Sequence, residues 1–64
     1  MARLTDVARD LERLLSDIGY IGSDVDDMRL SADYGSKAMF VEVENHLDEA
    51  ADAVRAAIDA LGRA

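Results

Sequence analysis

The apolar residues of the first eighteen positions recur at steps of three and four. They are Leu4, Val7, Ala8, Leu11, Leu14, Leu15 and Ile18. This spacing lines them up on one face and predicts an amphipathic helix. Thr5 can cap its start, Asp6 suits its first turn, and Gly19 can end it. Its charged residues stand at ion-pairing distances along the helix: Asp6 with Arg9, Arg9 with Glu12, Asp10 with Arg13, and Arg13 with Asp17.

Two later segments, residues 28–34 and 39–43, instead alternate apolar and polar positions. A period of two predicts half-buried strands, and the turn-forming residues 35–37 between them predict an antiparallel hairpin. Asn45 can then cap a last helix that ends at Gly62. The predicted fold class is therefore α+β, a small α-β-β-α domain with two helices packed on an antiparallel hairpin.

The second half of the chain also fits a helix without interruption. Its apolar positions are Phe40, Val43, Leu47, Ala50, Val54, Ala57 and Leu61. One long helix over residues 36–62 is thus an alternative, with residues 23–34 as a middle helix. The alternative fold is an all-α three-helix bundle, or a dimer formed through the apolar seam of the long helix.

The length of 64 residues predicts one domain, residues 1–64, with a small core and marginal stability. Dimerisation or partner binding would help such a domain. No cysteine is present, which favours a reducing compartment, and we expect the cytoplasm. The N-terminal residues lack the apolar segment of a signal peptide, and no stretch approaches the ~18 apolar residues of a membrane span.

The sequence offers little material for catalysis or for a cofactor. It has one histidine, no cysteine and no glycine-rich phosphate loop, so we expect neither an enzyme nor a bound cofactor. His46 is interpreted as an exposed or capping residue. The run Asp24 to Asp27 resembles the start of a calcium loop, but Arg29 and Gly35 occupy the places of its required glycine and glutamate. Metal binding is therefore not expected.

The charges are strongly segregated along the chain. Residues 16–54 hold ten acidic side chains against Arg29 and Lys37, a balance of −8 within a net charge of −7. A negative electrostatic field repels nucleic acid and anionic membranes and attracts basic proteins. Phe40 could anchor such an interface, or pack in the core. The candidate partner-binding residues are Asp24, Asp26, Asp27, Asp33, Glu42, Glu44, Asp48, Glu49 and Asp52.

In size and charge, this short, acidic, cysteine-free chain without a catalytic motif resembles the small phage anti-CRISPR proteins that act as DNA mimics. That resemblance implies a stoichiometric inhibitor, which would occupy the basic DNA-binding groove of a CRISPR effector complex in a host bacterial cell. The alternative is a small structural, dimerising or antitoxin-like interaction module without DNA mimicry. The chain could be a monomer or a homodimer in either case.

Overall fold

The protein is a rod made of two long antiparallel helices. The computed structural model describes residues 3–63, in which α1 spans Leu4–Ser31 and α2 spans Tyr34–Gly62. A helix of 28 residues is about 42 Å long, which nearly fills the 47 Å length of the rod; the other two dimensions are 15 Å each. Since only two residues join the helices, α2 must run back along α1 as an αα-hairpin.

This architecture corrects both fold predictions. The α+β prediction is wrong, because residues 28–34 form the end of α1, the connection and the first residue of α2, and residues 39–43 lie inside α2. No strand is present within residues 3–63. The long C-terminal helix of the alternative is present, but the predicted middle helix is a continuation of α1. The bundle has two helices where the alternative had three.

The helices meet along a seam of half-buried residues, which are spaced alternately three and four positions apart along each helix. Such a repeat has seven positions, a to g, and the seam uses positions a and d. On α1 these are Ala8, Leu11, Leu15, Ile18, Gly22, Val25 and Arg29; on α2 they are Phe40, Glu44, Leu47, Ala51, Val54, Ile58 and Leu61. The repeat runs through Gly19 without a break, so packing of the seam continues α1 past the residue predicted to end it.

The connection between the helices is short and closed by local hydrogen bonds. Ala32 and Asp33 both adopt extended backbone conformations. The Ala32 amide donates to the Arg29 carbonyl at 3.3 Å, and Asp33 Oδ1 accepts from the Ser36 amide at 3.1 Å. Asp33 is therefore the N-cap of α2, a role that the sequence analysis gave to Asn45.

The outer ends of the helices bear on two further predictions. Arg3 is the N-cap residue of α1 and makes no side-chain capping bond, so the prediction that Thr5 caps this helix is wrong. Gly62 is the last residue of α2, as predicted.

Candidate protein-binding surfaces

A two-helix rod leaves much of its apolar surface uncovered. No residue from 3 to 63 is fully buried, and the seam itself is only half-buried. Leu4, Tyr20 and Leu30 of α1 are exposed singly, whereas four other exposed apolar residues of this helix repeat every seven positions, at position g. They are Val7, Leu14, Ile21 and Met28. Roughly half of each of the last three remains exposed: 46% of Leu14, 49% of Ile21 and 56% of Met28.

The matching positions of α2 carry smaller residues. Position g holds Val43, Ala50 and Ala57, of which Val43 and Ala50 are exposed and Ala57 is half-buried. These three were assigned to the central seam of the alternative long helix. The structure turns the helix so that Glu44, Ala51 and Ile58 face α1 instead, and Val43, Ala50 and Ala57 lie beside the seam.

The g positions of both helices lie on the same side of the rod. The e positions, on the opposite flank of the seam, provide the evidence. Gly19 and Asp26 are e positions of α1, and they line one cleft together with two e positions of α2, Asp48 and Arg55. If the e positions of both helices share one side, the g positions must share the other. We call the residues Val7, Leu14, Ile21, Met28, Val43, Ala50 and Ala57 the apolar face.

The cleft on the other side is open and lined by both apolar and polar residues. It has a volume of about 340 Å³, and its floor includes Gly19 and Gly22, where a methyl group would meet nothing within 4 Å. Asp26, Glu44, Asp48 and Arg55 supply its polar lining.

Arg29 joins the two helices at the turn-side end of this region. Its Nε donates to Glu44 Oε1 of α2 at 3.0 Å, and its Nη2 donates to Asp26 Oδ1 of α1. Hydrogen bonds to Asp26 and Glu44 and the attraction of both carboxylates raise the pKa of Arg29 above its ordinary value, so the guanidinium stays charged. The sequence analysis counted Arg29 among the cations of the acidic segment and did not predict this link between the helices.

The hairpin converts charge segregation along the sequence into segregation along the rod. Residues 16–54 form the turn-side part, with its balance of −8, which we call the acidic end. Residues 3–15 and 55–63 form the other part, the open end, whose balance is +1. The nine candidate partner-binding residues all lie in the acidic end, but on different sides of it.

Several of those nine carboxylates already have partners within the chain. Asp26 and Glu44 bind Arg29, and Asp33 caps α2. Asp52 pairs with Arg55 at 3.0 Å. These four are therefore less available to an external partner than the sequence analysis assumed.

The remaining five are exposed: Asp24, Asp27, Glu42, Asp48 and Glu49. Among the described residues, Asp24, Asp27 and Asp48 form no ion pair. Glu42 and Glu49 each lie 3.8 Å from a ring nitrogen of His46. His46 is exposed, as predicted, but it lies inside α2 and caps nothing.

Three other expectations can be compared with the structure. The segment from Asp24 to Asp27 lies within continuous helix, so it does not form the loop that its calcium-like spacing requires. Phe40 is half-buried in the seam, which supports the core interpretation over the exposed anchor. The ion pairs predicted along the first helix are not formed within the part of the chain described; the salt bridges there lie between other residues.

Comparison of this chain with protein-family models, curated proteins and solved structures found no match. Over residues 3–63, neither helix has a stretch that is both long and apolar enough to cross a bilayer. The apolar face and the acidic end are the two surfaces of the rod that could bind a partner.

Proposed function

We propose that the chain is a small helical interaction module whose apolar face binds a protein surface. The observation that carries this proposal is the row of half-exposed Leu14, Ile21 and Met28 at seven-residue spacing. Single exposed apolar residues are ordinary, but a continuous patch on a small domain marks an interaction site. A second helical surface would continue the a/d packing through position g, as neighbouring helices do in bundles.

The stability of the rod supports the same proposal. Complete burial of a Leu, Ile or Met side chain contributes about 1.5–3 kcal/mol, so each half-exposed member of the face forgoes roughly 1 kcal/mol. No residue in the described range is fully buried to compensate. A partner that covers the apolar face would recover part of this free energy, and a chain of 64 residues has little other source of it.

The test is site-specific photo-crosslinking in the cells that naturally make the protein. A benzophenone amino acid is placed at Leu14 or Ile21 on the apolar face, and at Tyr20 as the matched control. Tyr20 neighbours Ile21 in sequence, is 72% exposed and lies on the far side of α1 at position f. Protein adducts at positions 14 and 21 but not at 20 support the proposal; equal adducts at all three positions, or none, contradict it.

The acidic end favours a second candidate function, an inhibitor that binds a basic nucleic-acid-binding protein. The balance of −8 on one end of a narrow rod would attract a groove lined by Lys and Arg, through charge-assisted hydrogen bonds of the kind that phosphates make. A CRISPR effector complex is the partner that the resemblance in size and charge implies.

This second candidate predicts loss of inhibition when exposed carboxylates of the acidic end are neutralised. The variant Asp24→Asn with Asp27→Asn changes two side chains that hold no internal ion pair within residues 3–63. The matched control neutralises Asp6 and Asp10 at the open end. Target-DNA binding by the effector, measured with each variant at low and physiological salt, decides the question. Full inhibition by the acidic-end variant would rule out the mimic.

A further inference from the structure

We propose that the partner on the apolar face is a second copy of this chain, packed face to face so that the two turns lie at opposite ends of a four-helix bundle. This inference rests on the proposed function, because it names the occupant of the same surface. In this arrangement the twofold axis is perpendicular to the long axis of the rods and lies between the two faces. Helix α1 then packs on α1 of the second copy, and every helix has antiparallel neighbours.

The dimensions of the rod suit such a dimer. One whole side of the rod measures 47 by 15 Å, about 700 Å², so pairing two such sides covers at most about 1,400 Å² in total, within the range of stable protein interfaces. The face extends along most of the rod, from Val7 near the open end to Met28 near the turn. A second rod of equal length covers it completely, with no part left over on either copy.

Repulsion between acidic residues selects the relative direction of the two copies. The acidic end reaches residue 54, past the middle of α2, so the charges are better compared by halves of the rod. Residues 18–48, on the turn side, carry −5, and residues 3–17 and 49–63 together carry −2. With the turns at opposite ends, each half at −5 lies along a half at −2. The open end is close to neutral, because its five arginines stand against Asp6, Asp10, Glu12 and Asp59. With the turns at the same end, two acidic ends would lie side by side, and their repulsion would oppose association.

The first measurement is the mass of the pure chain by sedimentation equilibrium. The monomer has a mass of 7.0 kDa, and we expect twice that value. Two variants at neighbouring positions test the surface: Ile21→Glu places a charge on the apolar face, and Tyr20→Glu places the same charge on the far side of α1. The first should weaken dimerisation at least a hundredfold, and the second should change it less than threefold.

The second measurement tests the direction and leaves the face intact. Because the chain has no cysteine, Tyr34→Cys gives a single labelling site at the turn, where the native side chain is 94% exposed. Spin labels at this site should be separated by about the length of the rod, 47 Å, as measured by double electron–electron resonance. This measurement decides the proposal if Ile21→Glu fails to fold.

Each unfavourable outcome has a distinct meaning. A folded chain that stays at 7.0 kDa up to millimolar concentration overturns the second copy as partner, and so does a dimer that Ile21→Glu leaves intact. A separation between turns below about 25 Å, the span of two adjacent helices and their side chains, overturns the opposed arrangement. The photo-crosslinks test the proposed function separately. Adducts specific to positions 14 and 21 whose mass differs from that of two copies would support binding of a protein by the apolar face, but would overturn the second copy as that protein.

Discussion

Replacing the two glycines in the middle of α1 by alanine should stabilise the protein. Gly19 and Gly22 lie in continuous helix, and a methyl group added at either meets nothing within 4 Å. Alanine in a helix interior is more stable than glycine by roughly 0.5–1 kcal/mol, because glycine loses more backbone entropy on folding. Since the new methyl groups find room, nothing offsets this gain, and the double variant should gain about 1–2 kcal/mol.

The expected shift in melting temperature follows from the size of the chain. Unfolding entropy near 2.1 cal/mol/K per residue gives about 130 cal/mol/K for the whole chain, so each kcal/mol raises Tm by about 7 °C. The double variant should therefore melt about 7–15 °C higher. If the chain is a dimer, the free-energy gain and the unfolding entropy both double, and the expected shift is unchanged.

The assay is thermal unfolding followed by far-UV circular dichroism at one fixed protein concentration. Gly62→Ala is the matched control. It makes the same chemical change at the last residue of α2, where the helix end frays and alanine should add little stability. A lower Tm for Gly19→Ala or Gly22→Ala would refute the reasoning. It would mean that the chain turns at these glycines, as the α-β-β-α prediction required, with a backbone conformation that alanine disfavours.

Two further predictions concern the contacts that hold the hairpin together. Asp33→Ala removes the cap of α2 and should cost about 1 kcal/mol of unfolding free energy in denaturant titration. Asp33→Asn should cost far less, because asparagine can also accept from the Ser36 amide; equal losses in both variants would show that the capping hydrogen bond is not their cause. Arg29→Gln should lower Tm more than Arg55→Gln, because Arg29 links the two helices while Arg55 pairs within α2. The Arg29 effect should shrink at high salt, and Glu44→Gln should add little once Arg29 is gone; fully additive losses would contradict a direct ion pair.

The first helix shows how much of the fold the sequence could predict. Its apolar stripe was identified correctly from Leu4 to Ile18, but the helix was ended at Gly19, because glycine often follows a helix. In a long hairpin the cost of a glycine, about 1 kcal/mol, is small beside the packing of two further turns of seam. The seven-residue spacing from Leu14 to Ile21 and Met28 was the signal that the helix continues.

The prediction of strands was wrong for a different reason. In residues 28–34 and 39–43 the apolar positions alternate, and a run this short fits a strand or one part of a helix equally well. The decision depends on what lies across from the segment. Met28 belongs to the apolar face and Phe40 to the seam, and both assignments require the antiparallel partner helix to be known. Local spacing contains no such information.

The candidate site was predictable in composition but not in arrangement. The acidic segment from residue 16 to 54 was evident, yet only the hairpin brings Asp26 and Glu44 together on Arg29 and separates the acidic end from the open end. The apolar face was missed because its members come from two helices. Val43 and Ala50 were placed in one stripe of the alternative long helix. Leu14 was placed in the stripe of the first helix, and Ile21 lies beyond Gly19, the residue predicted to end that helix.

The apolar face and the acidic end can act together when two rods associate. An apolar face on a rod with identical ends would bind a second rod equally well in either direction, because hydrophobic burial is not directional. The charge difference between the two halves of the rod removes that symmetry, since only the opposed direction keeps the two more acidic halves, at −5 each, apart. The acidic residues therefore have a structural role available that requires no nucleic-acid-binding partner. Repulsion within the acidic end costs stability in each copy, and covering the apolar face of Leu14, Ile21 and Met28 is the available compensation.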